Sequence, residues 1–239
     1  MKHILFAALL ISLFASCMRK VTIGRGESTS ETRTVGSFTR IDLSTPVDAE
    51  IHVKEGAQTS VQISGYKNLI TNIKTQVVGK TLKVFTDDMI QLDTDKDIVL
   101  EVTVGSLDAI EINGAADVNT TGTMKGDNVE IKISGAGNII LDEVQAGSFT
   151  AKISGAGDIT IGRGQVSKSA YAISGAGSIK SFGVTSNDVS AKVSGSGDME
   201  VTAVKALDAH VSGSGNIRYK GHPALTSKTS GLGEIIAAE

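Results

Sequence analysis

One short phrase recurs seven times through the second half of this chain, and that recurrence leaves few folds open. Its copies start at Ile112, Ile133, Ile153, Ile173, Val193, Val211 and Thr229, so successive starts lie 21, 20, 20, 20, 18 and 18 residues apart. A well-formed copy reads Ile153-Ser154-Gly155-Ala156-Gly157-Asp158-Ile159. A near-constant period of this size marks stacked supersecondary units. Here it matches one coil of a parallel β-solenoid, so the fold class is all-β, a parallel β-helix with coils of 18–21 residues.

The residues leading into each phrase alternate with the period of two that a strand with one buried face requires. Val129, Ile131 and Ile133 share a face, and the following coils put Phe149, Ala151 and Ile153, then Ser169, Tyr171 and Ile173, at the same inward positions. Val189, Ala191 and Val193 repeat the pattern, as do Leu207, Ala209 and Val211. After the phrase a second short strand turns Ile139 and Leu141, or Ile159 and Ile161, inward. The Ser-Gly-x-Gly element must supply the turn between the two, because glycine reaches left-handed backbone angles without a side-chain penalty. Gly135, Gly155, Gly175, Gly195 and Gly213 are then expected to form a turn column, with Ser134, Ser154, Ser174, Ser194 and Ser212 bonding locally to the backbone.

The organisation that follows is a leader over 1–17, a flexible linker over 18–35, an N-terminal β unit over 36–110 and the solenoid repeats over 111–239. Lys2 and His3 precede an apolar run from Ile4 to Phe14, followed by Ala15-Ser16-Cys17, the order of an export signal. The run is too short for a transmembrane helix, which needs about twenty apolar residues. Cys17 is the only cysteine and falls where a lipoprotein signal peptidase would leave it as a lipid-bearing N-terminus, so the membrane is the expected partner there. Met18 is not an aspartate, which favours an outer-membrane lipoprotein, facing the periplasm or the surface. Residues 21–35 are rich in Gly, Ser, Thr, Glu and Arg, a composition suited to a tether. The 36–110 unit alternates through Val47, Ala49, Ile51 and Val53, and Gly79-Lys80 reads as a two-residue hairpin turn. This unit is expected to cap the first coil, since open solenoid ends expose unpaired strand edges. No such cap is visible at Ile235 to Glu239, so the C-terminal coil is a candidate for self-association.

Net charge is −3 and the basic residues are scattered, which gives no electrostatic case for nucleic acid. The glycine phrases lead into strands, not into the helix N-terminus that cradles a phosphate. One polar residue per phrase forms the column Asp117, Asn138, Asp158, Ser178, Asp198, Asn216, Glu234, in which acids skip a coil. Carboxylates ~10 Å apart avoid each other, whereas a calcium ion needs several oxygens within ~2.5 Å. No cofactor and no metal are therefore expected. A second outward column is basic: Lys132, Lys152, Ala172, Lys192 and His210, with Lys228 beside it as a local bias. It reads either as a solvated face that blocks aggregation or as a ladder of cations for an acidic glycan. None of the four histidines has metal spacing or an adjacent nucleophile, and the absence of Trp with only three Tyr leaves no aromatic platform for sugar rings, so no catalytic residue is assigned.

Three stretches, Val35-Gly36-Ser37-Phe38-Thr39-Arg40-Ile41-Asp42-Leu43, Gly79-Lys80-Thr81-Leu82-Lys83-Val84 and the phrases from Ile133 onward, resemble the putative auto-transporter adhesin, head GIN domain family of exported Bacteroidetes proteins. The resemblance spans nearly the whole chain after the leader. It implies a β-helical fold and a cell-envelope setting, and brings no catalytic residues. The function expected from residues and resemblance together is a non-enzymatic envelope lipoprotein that displays a solenoid for adhesion to a glycan or envelope protein, or for scaffolding. The alternative is a polysaccharide-active β-helix enzyme, which would show three or more converging carboxylates or bases in a groove.

Overall fold

The computed structural model describes residues 20–238, so the expected leader and the Cys17 anchor lie outside the described residues. The chain forms a β-solenoid of about six turns. Strands β1 (Lys20–Ile23), β2 (Ser28–Thr32), β3 (Arg40–Leu43), β4 (Asp48–Val53) and β5 (Ser60–Tyr66) precede one turn of helix, α1 (Lys67–Ile70). β6 (Lys74–Val78), β7 (Thr81–Phe85), β8 (Ile90–Asp93), β9 (Val99–Val104) and β10 (Ala109–Ile112) follow. The repeats then supply β11 (Val118–Ile133), β12 (Ile139–Ile153), β13 (Ile159–Ile173), β14 (Ile179–Val193) and β15 (Met199–Val211). The last coil holds β16 (Ile217–Lys220), β17 (Ala224–Thr229) and β18 (Ile235–Ala237).

Each long strand pairs in parallel with the next, so Ile131, Ala151, Tyr171, Ala191 and Ala209 form one continuous row. The two strands expected per coil are joined into one, because pairing persists through the bend, where Glu143 to Ala146 meet Arg163 to Val166. At that bend Met124, Val144 and Val184 turn inward, a third core position that period two conceals. Volume is traded within coils: large Phe149 stands beside Ala151, and Tyr171 beside Ser169. Phe149 and Tyr171 meet edge to face at 5.9 Å. Burial raises the pKa of the Tyr171 phenol, and its hydroxyl bonds to Ser181.

The 36–110 stretch does more than cap. β3 and β4 make a coil that lies on β10 and the start of β11, and β7 and β9 make another that lies on β3 and β4. The chain therefore enters the stack in its second layer, then builds the outer layer, then resumes beneath. The boundary expected at residues 110 and 111 falls inside β10, and one apolar cluster runs from Phe38 to Ile217. Beyond the outer coil the pairing turns antiparallel, β6 on β7 and β5 on β9, with β2 on β5. There α1 and its flanks bury Tyr66, Leu69, Ile70 and Ile73. The Gly79-Lys80 hairpin pairs Val78 with Thr81, and Gly79 takes the φ of +62° that such a turn needs.

Two expectations are corrected. From Lys20 onward the segment expected to be a flexible linker is structured: β1 pairs in parallel with β8, and β2 extends the cap. An edge strand needs only one half-buried residue in two, so a polar Ser-Thr-Ser-Glu-Thr run satisfies it, and composition alone gives no warning. The same pairing makes a strand of Ile90 to Asp93. The second correction concerns the glycines, for Gly135, Gly155, Gly175, Gly195 and Gly213 do not have positive φ. They are required by contact: a Cβ on any of them would lie 1.9 Å from the carbonyl oxygen of the glycine one coil earlier.

Candidate functional site

The glycine corner separates two outward columns. On one side runs the polar column, now joined at its top by Asp48. Asp117 N–H donates to Asp48 Oδ1 (2.9 Å), Asn138 N–H to Asp117 Oδ1 (2.9 Å), Asp158 N–H to Asn138 Oδ1 (3.1 Å) and Ser178 N–H to Asp158 Oδ1 (2.7 Å). Asn216 and Glu234 continue the ladder below Asp198. The oxygens of Asp48, Asp117, Asn138, Asp158, Asp198 and Asn216 thus each satisfy a backbone donor of the next coil, at a corner where the strand ladder is interrupted, and the run is broken only where the shorter Ser178 precedes Asp198. The alternation of acid and amide has a second use, since Asn138 and Asn216 also donate their side-chain N–H to the acid above. The column is structural. Among the described residues no group of three or more His, Cys, Asp or Glu is placed to hold a metal ion.

Only Asp48 breaks the alternation, standing directly over Asp117. Burial pushes its carboxyl above the ordinary value, the Asp117 N–H opposes that, and the charges of Asp117, Asp97 and Glu50 add to the rise.

On the other side of the corner, Lys132, Lys152, Ala172, Lys192, His210 and Lys228 fall in strict register. Lys228 therefore belongs to the column and is not merely near it. Beside them run Ser134, Ser154, Ser174, Ser194, Ser212 and Ser230. Two of the serines bond between coils and not locally: Ser174 and Ser194 donate to the carbonyls of Ile153 and Ile173, one coil earlier (3.4 and 3.3 Å). Lys132 is taken by Glu130 (2.8 Å), and His210 Nε2 meets Asp208 (2.8 Å). Among the described residues Lys152, Lys192 and Lys228 enter no ion pair. Where Ala172 removes a long side chain from the column, a hollow of about 450 Å³ opens, lined by Ser174, Lys192, Ser194, His210 and Lys228. Its strands hold Lys192 and Lys228 two coils apart, ~10 Å along the stack, with His210 between them and a floor of hydroxyls.

A second hollow, of about 180 Å³, lies where the N-terminal coils meet the repeats and gathers Asp42, Glu111 and Glu130 with Arg40, Lys83 and Lys132. Three carboxylates line it, the number asked of a polysaccharide-cleaving site, yet their surroundings differ from one. Arg40 bonds Glu130 at 3.1 Å, Lys132 bonds it at 2.8 Å, and Lys83 stands 4.0 Å from Asp42. Burial raises the Glu130 pKa, but the hydrogen bonds from Lys132 and Arg40 outweigh it and hold the carboxyl below its ordinary range. A general acid needs the opposite shift. No local pattern in the sequence marks this cluster, because its members come from four strands, with β3 and β7 far along the chain from β10 and β11.

Among solved structures, the chain is similar to a putative adhesin from Bacteroides fragilis NCTC 9343, with 26% identity and a TM-score of 0.86 over 91% of this chain and 100% of that one. A putative lipid binding protein from Parabacteroides distasonis ATCC 8503 shares the fold at 21% identity and a TM-score of 0.76, over 92% of this chain and 100% of that one. So does a putative adhesin from Parabacteroides merdae ATCC 43184, at 21% identity and 0.71, over 92% and 99%. No curated protein matches the sequence. The family model described as putative auto-transporter adhesin, head GIN domain, matches residues 37–223, which takes in both the N-terminal coils and the repeats, and the chain belongs to that family.

Proposed function

We propose that this protein is a non-enzymatic cell-envelope lipoprotein, held in the outer membrane through Cys17, whose basic and serine columns bind an acidic glycan. The observation that carries this reading is the row of lysines left without acidic partners at Lys152, Lys192 and Lys228, beside hydroxyls and around the hollow at Ala172. A solvated column that served only solubility would do better with interspersed charges of both signs. Lysines that recur on every second coil, ~10 Å apart, suit a linear polyanion, which gathers many weak contacts into useful avidity. The depressed Glu130 and the ion pairs around it favour display over the polysaccharide-active alternative.

A glycan array with the lipid-free protein tests the reading. Binding is expected to acidic glycans, to weaken steeply as salt rises, and to be abolished in the triple variant Lys152→Glu, Lys192→Glu, Lys228→Glu. Silence across acidic glycans, or binding indifferent to that variant, would overturn it. The anchor is tested apart: Cys17→Ala should move the protein out of the membrane fraction.

A further inference from the structure

We infer that the last coil is a self-association edge, which pairs tail to tail with the same coil of a second copy. The two ends of the stack differ. At the N-terminal end α1 and the antiparallel strands bury the apolar residues of the outermost layer. At the other end the core columns run out into solvent. Leu225 is in register with Leu207, which is 1% exposed, yet Leu225 itself is 42% exposed. Ile236 on β18, in the outward column below Arg218, adds a second apolar side chain to this end and is 40% exposed. Among the described residues β17 pairs only with β15 and β18 only with β16, so one side of each backbone carries unpaired N–H and C=O groups.

The repeat itself changes there. At the corner position filled by Ala136, Ala156, Ala176, Ser196 and Ser214 the last coil has Leu232, which is 88% exposed. Its backbone N–H still bonds Gly213, as Ser214 bonds Gly195, so the coil keeps its path and only the side chain departs. Nothing in the stack calls for leucine at that point. A neighbour beyond the coil would.

The occupant that fits is another copy of this coil. It alone offers, without further assumption, an arc of backbone with the same curvature and the same unpaired groups. A two-fold axis across the end makes the facing strands antiparallel, which edge pairing accepts. The end is also self-complementary in charge, with Lys228 on β17 and Glu234 before β18. Residues 217–238 supply about twenty residues a side, close to the number in a standard interface.

Sedimentation velocity of the full chain in detergent solution, over a range of concentrations, tests the pairing. The wild type is expected to form a dimer that dissociates on dilution. Leu232→Lys should weaken it roughly thirtyfold or more, as loss of a central apolar anchor does, with no change in melting temperature at dilutions where both proteins are monomeric, because Leu232 is 88% exposed in its own chain. Ile236→Lys should act the same way, and Val78→Lys at the opposite end, where Val78 is 51% exposed, should leave the dimer intact. A wild type that stays monomeric at every concentration would refute the pairing, as would a dimer untouched by both C-terminal variants or one broken by Val78→Lys.

Discussion

Replacing Gly175 by alanine puts the stacking argument to its hardest test. Gly175 has an ordinary backbone φ, so a purely conformational account of these turns predicts a mild change or none. The packing account predicts a collision. The added Cβ would stand 1.9 Å from Gly155 O, against the 3.0 Å below which such contacts essentially never occur, so the two coils must part by more than 1 Å. Three inter-coil hydrogen bonds hold them together at this corner: Ser174 N–H to Ile153 O (2.9 Å), Ala176 N–H to Gly155 O (3.2 Å) and Gly157 N–H to Ala176 O (3.3 Å). At about 1 kcal/mol each, their loss costs ~3 kcal/mol. Overpacking strain adds about 1–3 kcal/mol, for a total of ~4–6 kcal/mol. Guanidinium denaturation followed by far-ultraviolet circular dichroism reads this directly. Gly36→Ala is the control: a Cβ there meets nothing within 4 Å, and its effect should stay within about 0.5 kcal/mol. If Gly175→Ala cost less than ~1 kcal/mol, the glycine column would not be a steric requirement.

Three further predictions concern charge. Asp48→Asn should stabilise the fold by ~0.5–1 kcal/mol at neutral pH, because an amide keeps the acceptor for Asp117 N–H and relieves a carboxylate whose folded pKa is raised; the advantage should vanish in acid, where the wild-type carboxyl is protonated in the folded state. Glu130→Gln should cost ~1–2 kcal/mol at neutral pH, since a depressed folded pKa contributes stability above the unfolded value that is lost as pH falls through the folded one. Melting curves of the variant and the wild type should therefore converge in acid. Asn138→Asp should extend the Asp48–Asp117 pair to four carboxylates in consecutive coils, with Asp158 below, and remove the side-chain donor to Asp117, at a cost of ~1–2 kcal/mol in low salt that shrinks in high salt; a salt-independent loss would mean the alternation serves hydrogen bonding alone.

The middle of the molecule was legible because its repeats obey one rule at a time. A period near twenty gave the coil, a period of two gave the inward residues, and Phe149 beside Ala151 showed how volumes are shared. The N-terminal layers were not legible as coils, because their corner reads Ser44-Thr45-Pro46-Val47-Asp48 with no glycine. It keeps the serine and the acid of the phrase. As the second layer of the stack, it abuts Gly114, whose missing Cβ makes the room for Thr45. Reversal of layer order is invisible to any local pattern, since β7 and β9 lie far along the chain from the coil they cover. The paired charges around Glu130 were hidden for the same reason.

Departures from the repeat carry the information that stacking does not demand. Inward columns are fixed by volume, the glycine columns by contact and the polar column by backbone donors, so their residues say little about partners. The outward position before each phrase is under none of these constraints, and any soluble side chain would fold there. That it holds Lys152, Lys192 and Lys228 without acidic partners, and Ala172 where a hollow opens, is a choice the fold leaves free. Leu232 is a choice of the same kind, made at the one corner with no coil beyond it among the described residues. One face and one end thus carry residues that the stability of this solenoid does not require, and they are where contacts with other molecules are to be sought.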